Sequence, residues 1–129
     1  MAGDVGGGSR SNGEDVVEGE IHFPPDAVFA GATVHVRLLD ATVADGPSRT
    51  VAEQTIPNVS HPRGAGGTVA FAVRGSGLDA RARYVVRVHV DVDGDGRVSR
   101  GDYISTESYP VLTLGYPNRV VVRVRPVGY

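Results

Sequence analysis

Residues 91–102 read Asp91-Val92-Asp93-Gly94-Asp95-Gly96-Arg97-Val98-Ser99-Arg100-Gly101-Asp102, and they are the one stretch whose residue types and spacing point to a specific chemistry. Carboxylates stand at loop positions 1, 3, 5 and 12, a glycine at 6 and an apolar residue at 8. An EF-hand-type loop uses those positions to cage Ca²⁺ in oxygen. On that pattern Asp91, Asp93 and Asp95 are carboxylate ligands. Arg97 contributes its backbone carbonyl, and Ser99 its hydroxyl or a bridging water. Asp102 closes the cage, one methylene shorter than the usual glutamate. Gly96 permits the sharp turn, and Val98 is expected to point back into the protein. Four negative side chains so close together repel one another, so the loop is expected to order when a cation neutralises it.

The competing reading is a solvated hairpin loop, because Asp-Gly is itself a common tight-turn dipeptide. An aspartate at every second place exceeds what a hairpin requires, and this favours Ca²⁺. Mg²⁺ fits less well, since it prefers few carboxylates and several waters. The flanking segments are β-rich rather than helical, so no helix pair preorganises the cage. Affinity is therefore expected on the weak side, on the order of 10⁻⁵ to 10⁻³ M.

The segments that must carry this loop are short and alternate with period two. Residues 1–15 are Gly-, Ser- and Asp-rich with little to bury, which reads as a flexible tail preceding one domain over 16–129. Residues 17–23 alternate and stop at Pro24-Pro25. Residues 32–42 place Val34, Val36 and Leu38 on one face, with His35, Arg37 and Leu39 on the other. The 44–48 cluster is a turn, 50–56 a third strand ended by Pro57, and 58–67 a mobile loop. Residues 68–74 form the next strand, and 78–81 could make one helical turn. Residues 83–91 are the most regular: Tyr84, Val86, Val88 and Val90 face one way, Arg83, Arg87 and His89 the other. The acidic loop leaves this strand directly; residues 103–113 and 119–125 complete seven strands. One-sided alternation buries most simply as two packed antiparallel sheets. The expectation is an all-β sandwich of about seven strands, immunoglobulin-like or transthyretin-like in shape, with a barrel as the alternative.

The chain has 129 residues, enough for one core, and a formal charge of −2. Without the loop's four aspartates that charge becomes +2, so the rest of the domain is mildly basic. Neither value implies a nucleic-acid partner. The absence of cysteine excludes disulfides, thiolate metal sites, cysteine nucleophiles and a lipidated cysteine within this sequence. No apolar run approaches the roughly 18 residues that span a bilayer, and no hydrophobic signal segment follows Met1. The expectation is a soluble chain, cytoplasmic as written, without direct membrane insertion, and monomeric or weakly oligomeric.

Catalytic chemistry has no visible candidate. The histidines His22, His35, His61 and His89 show no ligand spacing, and His35 and His89 read as surface residues on outward strand faces. Gly64-Ala65-Gly66-Gly67 neither follows a strand nor opens a helix, and no nucleophile motif is present. A metal-dependent hydrolase would need a general base beside the loop, and none is found. The outward arginines Arg37, Arg83, Arg87, Arg119, Arg123 and Arg125 could merge into one basic face for an acidic partner or lipid headgroups. Ordinary solvation of an exposed sheet is the simpler reading.

Gly19-Glu20-Ile21, Phe23-Pro24-Pro25-Asp26-Ala27, Val34-His35-Val36-Arg37-Leu38-Leu39-Asp40, Ala44-Asp45-Gly46-Pro47 and Val51-Ala52-Glu53-Gln54-Thr55-Ile56 occur in an order that resembles the YbaY-type lipoprotein family. Tyr84-Val85-Val86-Arg87-Val88 and Tyr109-Pro110-Val111-Leu112-Thr113 continue the match, which covers roughly residues 17–125. That family is similar to the YscW-type pilot lipoproteins, which assist secretin assembly in type III secretion. The resemblance implies a small β-sandwich, usually anchored in the periplasmic envelope, with a protein partner and no enzymatic activity. The sequence departs from it in lacking the anchor cysteine, in a longer glycine-rich loop around His61-Pro62-Arg63, and in the acidic loop, where relatives have a short Asp-Gly turn. Calcium binding therefore rests on the loop itself.

Overall fold

The computed structural model describes residues 14–43, 46 and 48–128. Most of the stretch read as a tail (1–13), and Ala44, Asp45 and Pro47 of the predicted turn, lie outside these residues. Eight strands and no helix occur among the described residues: β1 (Glu14–His22), β2 (Phe29–Asp40), β3 (Arg49–His61), β4 (Thr68–Ser76), β5 (Tyr84–Asp91), β6 (Tyr103–Ser105), β7 (Tyr109–Val111) and β8 (Arg119–Pro126). Strand order thus begins at Glu14, inside the stretch expected to be tail. Asp79 to Ala82 is a hydrogen-bonded turn rather than a helical one.

The all-β expectation holds, but the two-sheet antiparallel sandwich does not describe the connectivity. The strands form one continuous hydrogen-bonded path, β3-β2-β5-β6-β8-β1-β4, with β7 paired to β5 beside it. Its two ends approach each other as in a nearly closed barrel. The β3 and β4 ends meet without a backbone ladder; there the Gln54 side-chain carbonyl accepts the Ala72 N–H at 2.8 Å. One neighbouring pair, β1 with β8, is parallel. The single strand expected over 103–113 is instead two three-residue strands, pairing with opposite halves of β5.

Strand β3 runs through Pro57 instead of ending there. Between Val59, opposite Ala32, and Ile56, opposite Val34, it has one more residue than β2. Pro57 and Asn58 occupy that bulge, and Asn58 takes a left-handed φ of 59°. A bulge leaves a residue outside the ladder, which is where a proline without an N–H can be tolerated.

The core is mostly β-branched: Val17, Ile21, Val34, Val36, Val73, Val86, Val88, Val90, Val111 and Val122 are buried around Leu38, Phe71 and Tyr84. At the end that carries the acidic loop, Phe29 packs at 5.4 Å from Phe23, 5.5 Å from Tyr103 and 6.0 Å from His61. His61 is buried there because its Nδ1–H finds the Ala27 carbonyl at 2.8 Å. At the other end Asp40 Oδ1 accepts the Thr42 N–H at 2.9 Å and the Thr42 hydroxyl, whose oxygen accepts the Arg83 N–H at 3.0 Å.

Two outcomes follow from this packing. A Cβ at Gly19 would lie 1.9 Å from the Val120 carbonyl oxygen and 2.8 Å from the Phe71 ring. Gly19→Ala should therefore cost about 2–4 kcal/mol, read as a lower urea midpoint with unchanged slope. The second concerns Asp40, whose carboxyl is held below the usual aspartate value, first by the Thr42 hydroxyl and then by the Thr42 N–H. A lowered folded-state pKa contributes stability above the ordinary aspartate value of about 3.9, and this is lost as pH falls through the lowered one. Carboxyl-carbon NMR should show Asp40 titrating below its ordinary range, and Thr42→Val should move it upward.

Candidate functional site

The acidic loop joins β5 to β6 as a hairpin connection, since His89 and Val90 pair with Ile104 and Tyr103. Its glycines let the backbone fold over itself: Gly94, Gly96 and Gly101 have φ of 75°, 77° and 98°, the left-handed region that side chains disfavour. Folded this way, the chain aims N–H groups at carboxylates. Asp91 Oδ1 accepts the Gly94 N–H at 3.0 Å, and its Oδ2 accepts the Gly96 N–H at 2.8 Å. Asp93 accepts the Asp95 N–H at 3.3 Å on one oxygen and the Ser99 hydroxyl at 3.2 Å on the other. Asp95 accepts the Arg97 N–H at 2.9 Å. These bonds, the Asp95 N–H foremost, hold the Asp93 carboxyl below the usual aspartate value.

Asp102 is used differently. It is 1% exposed; Oδ1 accepts the Val92 N–H at 3.0 Å, while Oδ2 accepts the Ser99 N–H at 3.2 Å and His89 Nε2–H at 2.8 Å. His89 is itself only 4% exposed, which overturns its reading as a surface residue. The sequence argument failed because the His89 ring, on the outward side of β5, is met by partners from other segments: the Asp102 carboxylate of the acidic loop and the His35 ring of β2. The signal that could have found His89 is its place two residues before Asp91, on the same side of the strand. His35, on the neighbouring β2, is half-buried, stacks on the His89 ring at 5.8 Å and meets Glu53 at 3.1 Å.

The structure brings four of the predicted ligands together. One carboxylate oxygen from each of Asp91, Asp93, Asp95 and Asp102 lies within 4.8 Å of the others, with Asp91 and Asp102 buried and Asp93 and Asp95 exposed. Ser99 is tied to this cluster by its hydroxyl, and Arg97 through its N–H. Val98 departs from expectation: at 46% exposed it faces solvent. Among the described residues, none of the loop's aspartates has an arginine within ion-pairing distance. The outward arginines, for which ordinary solvation was the simpler reading, are divided over the strand path. Arg37 and Arg87 are register partners on β2 and β5, whereas Arg119, Arg123 and Arg125 lie on β8, beyond β6.

A family described as type III secretion system lipoprotein chaperone (YscW) matches residues 13–124. The chain belongs to the YscW family. The YscW match spans every strand except the last two residues of β8, so it covers the strand path and the acidic loop together. No curated protein matches the sequence. Among solved structures, the chain is similar to an alternative pilotin from the type II secretion system of Vibrio cholerae, with a TM-score of 0.70 and 22% identity over 90% of this chain and 99% of that one. At that identity the likeness establishes a shared fold.

The two halves of the carboxylate cluster should respond differently to neutralisation. Asp102→Asn directs an amide at N–H donors in a buried place and should cost about 2–3 kcal/mol in a urea melt. Asp95→Asn, exposed and still able to accept the Arg97 N–H, should stay within about 0.5 kcal/mol.

Proposed function

We propose that this chain is a non-catalytic protein-interaction domain of the pilot or chaperone kind, serving a secretion component of the cell envelope. The observation that carries this reading is membership of a lipoprotein-chaperone family over residues 13–124. The fold shared with a secretion pilotin supports it. The partner class is a secretin-type outer-membrane subunit, and the compartment is the envelope. Titrating the purified domain with C-terminal segments of secretins encoded in the same genome tests this. A dissociation constant in the micromolar range or tighter is expected, and no heat with any of them overturns it.

A second reading concerns the loop. The convergence of four carboxylates without an arginine partner supports Ca²⁺ binding by Asp91, Asp93 and Asp95, with the Arg97 carbonyl and Ser99 completing the set. The hydrogen bonds limit what Asp102 can add. A carboxylate offers about four acceptor directions, and three at Asp102 are taken by Val92, Ser99 and His89. It has room for one contact through Oδ1, not the bidentate grip of the usual glutamate. Ca²⁺ at 100 times its dissociation constant should stabilise the domain by about 2.7 kcal/mol, raising Tm by several degrees over the chelator control. Asp93→Asn with Asp95→Asn should abolish that shift. Equal melting in Ca²⁺ and chelator would leave the loop a hydrogen-bonded turn.

A further inference from the structure

Strand β5 is not covered evenly along the side where β6 and β7 lie. Strand β7 pairs with Tyr84, Val85 and Val86, and β6 with His89 and Val90. Arg87 and Val88 fall in the gap between them, where the Ser105 hydroxyl takes the place of a strand partner for the Val88 N–H at 2.9 Å. Residues 106–108 bow around this gap and leave a cleft of about 540 Å³, lined by Thr42, Arg83, Arg87, Thr106, Glu107 and Ser108. The buried Val85 forms part of its wall.

The charges in this cleft are unbalanced. Among the described residues neither Arg83 nor Arg87 has a carboxylate oxygen within 4.0 Å. Arg83 Nη2 meets only the Ser108 hydroxyl, at 3.4 Å. Arg87 stands directly opposite Arg37 in the β2–β5 register, a like-charge pair that costs stability unless an anion lies near. Arg37 has its own partner in Glu53 at 3.5 Å. Glu107, the one acidic residue of the lining, reaches toward Arg125, 4.0 Å away. Thr42 holds the Arg83 backbone through the Asp40 turn, so the base of this side chain is fixed.

We propose that this cleft receives the carboxylates of an extended acidic segment of a protein partner. The proposal rests on the interaction-domain reading and names the surface and the chemistry it uses. Charge complementarity selects an anion, and guanidinium forks match carboxylates in planar, paired geometry. Spacing selects a segment over a compact ion. Arg83, just before β5, and Arg87, within it, are four residues apart, about 13 Å between Cα atoms for extended chain. Two carboxylates separated along an extended chain meet both arginines without drawing them together. Thr106 and Ser108 add hydroxyl donors at the rim.

The probe is a fluorescein-labelled peptide with two glutamates four residues apart, compared by anisotropy with its glutamine counterpart. The glutamate peptide is expected to bind at least tenfold more tightly, with affinity falling as salt rises. Arg83→Gln with Arg87→Gln should lose tenfold or more, while Arg119→Gln with Arg123→Gln, the same charge change beyond β6, should stay within twofold. Circular dichroism melts within a few degrees of wild type keep the comparison to binding alone. Equal losses in both double variants would mean diffuse attraction and overturn the site. Binding of inorganic phosphate or phosphatidylglycerol vesicles with the Arg83/Arg87 dependence, without peptide binding, would overturn it in favour of a phosphate or lipid ligand. A domain that binds a secretin segment yet ignores the glutamate peptide retains its function and loses this cleft.

Discussion

The buried carboxylate of Asp102 is the constraint around which one end of the barrel is arranged. An ionised group almost removed from water is tolerable only when hydrogen-bond donors replace its hydration. Those donors come from three places: Val92 just after β5, Ser99 in the turn, and His89 within β5. The backbone of the same residue extends the junction, because the Val127 N–H donates to the Asp102 carbonyl at 2.9 Å. A single residue thus joins the end of β5, the start of β6 and the chain just after β8. It also fixes Tyr103, which follows it, against Phe29 in the aromatic cluster.

This arrangement changes what the acidic loop is. As a repeating pattern of aspartates it looks like a set of equivalent ligands. In the fold the set divides into two anchored and buried carboxylates, Asp91 and Asp102, and two exposed ones, Asp93 and Asp95. Anchoring needs no metal, since main-chain N–H groups already occupy part of each carboxylate. What those N–H groups do not remove is the like-charge repulsion among four aspartates with no arginine partner, and a cation would offset that.

How much of this was legible depended on how local in sequence the deciding contacts are. Alternation placed Val34, Val36 and Leu38 of β2, and Tyr84, Val86, Val88 and Val90 of β5, in the core correctly. On the outward face of β5 it missed His89, because the groups that cover this ring, the Asp102 carboxylate and the His35 ring, come from segments distant in sequence. The loop's ligand spacing was readable because it is local in sequence. The choice between a two-sheet sandwich and its barrel-like alternative was not, because the near-closure depends on the parallel β1–β8 pairing and on Gln54 meeting Ala72, contacts between distant residues that period-two patterns do not encode. Pro57 misled in a further way: a proline normally ends a strand, but a bulge opposite β2 absorbs it.

The acidic loop and the arginine cleft are physically separable. Every side-chain hydrogen bond of the acidic loop closes within residues 91–102, apart from the one to His89. The loop could therefore change its state, ordered by a cation or not, while the barrel keeps its register, provided Asp102 stays in place. The arginine cleft is built on the other stretch of β5, and its geometry is set by the Asp40–Thr42–Arg83 turn and the gap between β6 and β7. What connects them is β5 itself, with Arg87 and His89 two residues apart on the same side of it. A domain organised this way can bind at the cleft and be braced at the loop without either process requiring the other.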